Sequence, residues 1–151
     1  MIIPTGERAF INDRPVGRLG TADGAGYPHV VPVCFAVAGN RVFIPIDGKP
    51  KRGDPRDLKR LRNIMENERV CLMIDRYAED WADLGWVMLR GRARVEPVAA
   101  ELHTAIALLR ARYHQYREMA LEQRPMIVID VDLCTSWGDL SVRSPVDEPR
   151  D

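Results

Sequence analysis

The sequence predicts a mainly β protein, an antiparallel β-barrel with flanking helices, and three observations carry that expectation. Short β-branched runs recur between glycine- and proline-containing turns. Only two substantial segments switch to helical spacing. The order strand, strand, strand, helix, strand, strand, helix, strand supplies too few crossover helices for a doubly wound parallel sheet. No GxGxxG and no Walker-type glycine loop is present, which speaks against Rossmann and P-loop chemistry.

Each element has its own signal. Val16 to Ala22 reads as a first strand, Asp23-Gly24-Ala25-Gly26 as a turn, and His29 to Val37 as a second strand. Gly39-Asn40 is a tight hairpin turn into a third strand, Arg41 to Ile46. Pro32 and Pro45 lie inside the second and third strands, where a missing N–H is tolerated at an edge or bulge, so this part of the sheet has an interrupted ladder that a ligand can approach. Beyond Gly48, Leu58, Leu61 and Met65 recur at helical spacing, with Asp54 as N-cap, Pro55 at the first helical position and an end near Asn67. Arg69 to Tyr77 and Trp86 to Val95 are two further strands joined by the acidic loop Ala78 to Gly85. In the second of these, Val87, Leu89, Gly91, Ala93 and Val95 alternate with Met88, Arg90, Arg92 and Arg94; its basic face must meet water, carboxylates or an anion. A second helix, about Val98 to Met119, carries Val98, Leu102, Ile106, Leu109 and Tyr113 on one stripe, and Met126 to Leu133 is the last strand, with Ser136-Trp137 closing the ordered part.

The chain has 151 residues, 46% apolar and 29% charged, the composition of an ordinary globular domain. A chain of this size buries roughly 68–70% of its unfolded surface, enough for a core without disulfides or structural metal. Residues 1–143 read as a single domain and Ser144 to Asp151 as a frayed C-terminal tail. The 22 basic and 22 acidic residues cancel, which argues against a nucleic-acid partner. No apolar run is long enough to span a bilayer and no signal-peptide pattern opens the chain, so a cytoplasmic location is expected, without a membrane partner. Cys34, Cys71 and Cys134 are odd in number and widely spaced, and read as three buried thiols.

The neutrality conceals a local excess. From Lys49 to Arg62 seven basic residues face two acidic ones, a surplus of +5, offset in part by a deficit of −3 between Asp75 and Asp83. Lys49, Lys51 and Arg52 follow a strand end and precede a helix, where backbone N–H groups and the helix dipole add to cationic donors: a recipe for a phosphate site, against the alternative of a solvated basic helix face. The carboxylates Glu79, Asp80 and Asp83 read as a solvated loop. His103 and His114 share the second helix but have no further ligand at metal spacing, so no metal is expected. His29 opens its strand after a proline turn, and no nucleophile elbow is visible.

The run Gly17-Arg-Leu-Gly-Thr-Ala-Asp-Gly-Ala-Gly-Tyr-Pro-His-Val-Val-Pro-Val-Cys-Phe, then Lys49-Pro-Lys-Arg, Leu61-Arg-Asn-Ile-Met-Glu-Asn-Glu-Arg-Val, Leu84-Gly-Trp-Val and Gly91-Arg-Ala-Arg-Val, resembles the pyridoxamine 5′-phosphate oxidase-like FMN-binding split-barrel superfamily. More narrowly it is similar to small deazaflavin (F420)-dependent enzymes. The resemblance covers about Pro15 to Trp137. It implies a six-stranded antiparallel split barrel, a homodimer, and two clefts at the subunit interface that hold FMN or F420, between which the sequence does not choose. It further implies that Lys49, Lys51 and Arg52, with Arg60 and Asn63, bind the cofactor phosphate. His29, Val31, Pro32 and Val33 would lie along the ring system, and Trp86 and Trp137 would wall the cleft. The basic residues that pyridoxamine-phosphate oxidases use near their C-terminus for their substrate's phosphate have no match here, which counts against vitamin B6 oxidation.

The expected activity is therefore a flavin- or deazaflavin-dependent oxidoreductase acting on a small organic substrate, with the cofactor carrying the hydride and no strong acid or base required of the protein. The alternatives are a cofactor carrier, store or sensor without turnover, and a haem-handling relative with His103 or His114 as axial ligand.

Overall fold

The structure is a computed structural model that describes residues 2–46, 58–97 and 102–142. Its elements, in order, are α1 (Thr5–Asp13), β1 (Gly17–Ala22), β2 (Pro28–Val33), β3 (Ala36–Ala38), β4 (Arg41–Pro45), α2 (Lys59–Glu66), β5 (Arg69–Arg76), β6 (Gly85–Glu96), α3 (His103–Arg112) and β7 (Met126–Gly138). Every strand pairing among the described residues is antiparallel, and the sheet order is β2-β1-β5-β6-β7-β4-β3. The two strands at the ends of that order, β2 and β3, are joined by only Cys34 and Phe35. The sheet must therefore curl until its two edges approach, forming a barrel with a seam where β2 faces β3 and β4.

The sheet has seven strands rather than six, because the expected strand His29 to Val37 breaks at Cys34-Phe35. The cause is a hydroxyl. Tyr113 Oη accepts the Phe35 N–H at 3.1 Å and lies 2.8 Å from the Pro15 carbonyl and 3.0 Å from that of Phe35, removing Phe35 from any ladder. Tyr113 is itself extended, with φ −123° and ψ 115°, and this ends α3 at Arg112, well before Met119. His114 consequently lies in a separate 3-10 turn, His114–Arg117, and does not share α3 with His103. The last strand, by contrast, runs on past Leu133 to Gly138, through Trp137.

Hydrogen-bond parity explains the prolines. The bond from Asp23 N–H to the Tyr27 carbonyl sets the β1–β2 ladder so that odd residues of β2 bond to β1 and even residues turn their main-chain groups outward. Pro28 and Pro32 are both even, so neither breaks a bond to β1; on the outward side of this edge strand they leave Val30 as the sole N–H donor of β2. Likewise the bond from Val131 N–H to the Asn40 carbonyl places Pro45 at a non-bonded position opposite Met126. Prolines thus line the seam from both sides, which prevents it from zipping shut by main-chain pairing.

Two cores result. Leu19, Leu72, Ile74, Val87, Leu89, Ile127 and Ile129 fill the barrel, closed at one end by Ile3, Phe10 and Ile11 from the α1 region. A second cluster lies between α3 and the outer surface of β3, β4 and β7, where Leu102, Ile106 and Leu109 meet Ala36, Phe43 and Val128. Helix α1 has no counterpart in the sequence reading: its buried pair, Phe10 and Ile11, is too short a stripe for periodicity to detect. The basic face of β6 meets carboxylates on β7 and at its own end, Arg94 with Asp130 and Glu96 and Arg92 with Asp132, while Arg90 stays exposed. All three cysteines are free thiols, half-buried rather than buried, because they lie at the seam or on strand positions near the surface.

Candidate functional site

At the seam lies a cavity of about 180 Å³ lined by Val16, Pro32, Val33, Cys34, Pro45, Arg60 and Tyr116. Its walls follow from the topology. Pro32 to Cys34 end the β2 edge, Pro45 ends β4, Arg60 stands in the first turn of α2, and Tyr116 comes from the 3-10 turn after α3. Three sequence-predicted residues, Pro32, Val33 and Arg60, meet here. Lys49, Lys51 and Arg52, like Asp54, Pro55 and the tail from Ser144, lie outside the described residues. Of the lining residues, Pro45 lies one residue before the end of the described stretch 2–46, and Arg60 lies two residues after the start of the stretch 58–97.

The remaining predicted residues distribute themselves differently. Val31 points inward and packs against the barrel core. Asn63, on α2, is fully buried and donates from Nδ2 to Thr21 Oγ1 at 3.0 Å, while its Oδ1 has no hydrogen-bond partner among the described residues. His29 sits directly across the ladder from Thr21, and its buried Nδ1 likewise has no partner among the described residues. These three polar groups form an inner wall beneath α2. Lys59, next to Arg60, pairs with Asp23 at 3.7 Å. Asp23 accepts from the N–H groups of Tyr27 and Ala25, which with Lys59 hold its carboxyl below the usual value against the effect of burial.

Trp86 and Trp137 face each other across β6 and β7 on the outer sheet surface. One chain does not bring them to the seam: β6 is three strands from β2, and although β7 neighbours β4 it pairs with it only from Met126 to Asp130, at the opposite end of β7 from Trp137. The row Pro32, Arg18, Met73, Met88, Thr135 crosses the same surface, and Trp137 is 55% exposed. Val16, Cys34, Pro45 and Tyr116 were missed as site residues. Pro45 carried a signal, its proline within a strand; the other three reach the cavity only through the fold. Among the described residues no group of three or more His, Cys, Asp or Glu side chains converges, and no helix is long and apolar enough to cross a membrane.

Residues 4–138 match the family model described as pyridoxamine 5′-phosphate oxidase. Over 69 residues the chain is 33% identical to a 5a,11a-dehydrotetracycline/5a,11a-dehydrooxytetracycline reductase from Streptomyces rimosus, a match that spans 46% of this chain and 46%, about half, of that relative. Among solved structures, the heme storage protein HutZ from Vibrio cholerae superposes with a TM-score of 0.65 at 16% identity, over 91% of this chain and 95% of that one. An FAD-binding protein from Mesorhizobium loti gives 0.60 at 21% identity, over 85% and 87%. Both show the split-barrel fold.

Proposed function

The chain belongs to the pyridoxamine 5′-phosphate oxidase family, and from that membership we propose that it is an oxidoreductase using a flavin-type cofactor, FMN or F420, to transfer a hydride to or from a small organic substrate. The stretch shared with a reductase supports redox chemistry as the activity. The observation that carries the reading is the seam cavity, an opening held apart by prolines, with Arg60 in its wall.

Size bears on how a cofactor would sit. Pockets that enclose a small molecule run from about 300 to 1,000 Å³, and the seam offers about 180 Å³. It fits a phosphate and part of its chain, not a tricyclic ring as well. Arg60, with Lys49, Lys51 and Arg52, would bind the phosphate. The ring would lie along the outer edge of β2, where Val30 turns one N–H and one carbonyl outward between two prolines. A bound flavin or deazaflavin supplies the hydride chemistry; the protein binds, orients and excludes water.

A second copy of the chain would complete such a site by packing on the outer surface of β1, β5, β6 and β7, bringing the partner's Trp86 or Trp137 to the ring. Three unpaired thiols suit a reducing cytoplasm. The similarity to a heme storage protein favours one second reading, a cofactor-binding protein without turnover.

The test is spectroscopic. Purified protein titrated separately with FMN, F420 and haem should bind FMN or F420 at micromolar concentration, with a shifted absorption band. Turnover of the reduced complex with candidate acceptors then separates enzyme from carrier. Binding of neither FMN nor F420, or a Soret band with haem alone, sinks the proposal.

A further inference from the structure

A second cleft, of about 310 Å³, lies beyond the Cys34-Phe35 link, between the end of α1, strand β3 and the last turns of α3. Ala36, Val37, Leu108 and Ala111 give it apolar walls, and Asn12 and Arg112 are its polar lining residues. Arg112 is the unusual member. Its guanidinium lies over the Phe35 ring at 4.6 Å and the Tyr113 ring at 5.4 Å. It donates to the main-chain carbonyls of Phe35, Ile11 and Arg14, and among the described residues no carboxylate stands within ion-pair distance of it. A half-buried charge compensated by carbonyl dipoles and ring faces, without a carboxylate, is incompletely repaid for its lost hydration. Burial holds the guanidinium below its usual pKa, with Tyr113, Cys34 and Asp13 only partly opposing that, and it remains a cation at neutral pH.

We propose that this cleft is a second binding site, separate from the seam, for a small amphipathic monocarboxylate, with its carboxylate on Arg112 and Asn12 and its hydrocarbon part against Val37, Leu108 and Ala111. The volume lies at the low end of the roughly 300–1,000 Å³ of small-molecule pockets, which suits a short chain or one ring. The charge fits one negative group and no more. Among the described residues Arg112 is the single cation lining the cleft, and the carbonyl end of α3 beside it carries partial negative charge, which disfavours phosphates and dicarboxylates. The apolar walls would leave a bare inorganic anion with little to hold it.

Sodium octanoate is the probe, titrated by calorimetry into the whole chain, with octanol and octylamine as neutral and cationic controls. Saturable one-site binding of octanoate is expected, with both controls at least about tenfold weaker. Arg112 is left in place, since it also holds three main-chain carbonyls. Leu108→Glu instead sets a carboxylate at the 39% exposed rim, and should weaken octanoate about tenfold or more while circular dichroism shows an unchanged fold. Arg60→Ala, at the seam, should leave octanoate affinity unchanged, which separates this site from the proposed cofactor site. Octanol binding as tightly as octanoate, an unaffected Leu108→Glu variant, loss of octanoate binding on Arg60→Ala, or no saturable binding would each overturn the proposal.

Discussion

Asn63 combines two properties that rarely coexist, complete burial and an amide oxygen with no partner among the described residues. Its Nδ2 bond to Thr21 Oγ1 ties α2 to β1. Removing one member leaves the other buried and unsatisfied, whereas removing both is cheaper than the sum. We expect Asn63→Ala and Thr21→Val each to cost about 1–3 kcal/mol, with a favourable coupling of about 1 kcal/mol in the double variant. Urea unfolding midpoints measure it; strictly additive costs would show that the bond contributes nothing. Asn63 also marks how far single residues were legible. The helix motif named it and Arg60 together, three positions apart, but which of them faces the barrel wall and which lines the cavity depends on the rotation of α2 against β1, which no local pattern encodes.

Elements were legible where periodicity or turn chemistry was strong and lost where a tertiary contact decided. Strands β1, β4, β5 and β6 lie within a residue or so of their expected bounds, because alternation along them is set by one buried face. The break after β2 and the early end of α3 both meet at Tyr113, whose hydroxyl takes the Phe35 N–H across 78 residues and whose extended backbone ends the helix. Two predictions belong at this scale. The β6–β7 register shifts between Arg90 and Gly91, and a Cβ on Gly91 would run into the Asp130 carbonyl on β7. Gly91→Ala must therefore push two central strands apart, and should lower stability by roughly 2 kcal/mol or more, read as a fall in melting temperature. Across the same strands Arg41, Asp130, Arg94 and Glu96 form a chain of ion pairs joining β4, β7 and β6. Although burial pulls it upward, Asp130 is held below the usual carboxylate value by Arg41 and Arg94. Its stabilising effect is then fully present above the unfolded carboxyl value, near 3.9, and is lost as pH falls through its lower folded value. Asp130→Asn should therefore flatten the acid side of the stability–pH curve below about pH 4, while an unchanged slope would show that the chain of pairs is screened out.

At the scale of the whole molecule the sheet's outer surface is unevenly covered. α3 and its cluster bury the part over β3, β4 and one half of β7, whereas no described element covers the part over β1, β5, β6 and the far half of β7. That bare half carries Met73 and Met88 half-buried, with Leu133 47% and Trp137 55% exposed, so it is not an ordinary polar outer face. Arg18 and Asp75, 3.7 Å apart, give it adjacent charges of opposite sign, which a two-fold axis can set against each other. Exposed apolar side chains gathered on one face are a common feature of protein-binding surfaces. Composition hid this surface, because its residues are scattered over four segments and only the register of β1, β5, β6 and β7 assembles them. If a second copy covers it, Met88→Glu, which places a charge at its centre without touching the barrel interior, should give a folded chain of half the sedimenting mass. Where each cofactor site is built from both copies, the same variant should also bind FMN or F420 at least about tenfold more weakly, although Met88 is two strands from the seam. Sedimentation at tens of micromolar, run beside a cofactor titration, checks both together: a wild-type monomer removes the interface, and a monomeric variant with undiminished cofactor affinity shows that the seam of one chain is sufficient.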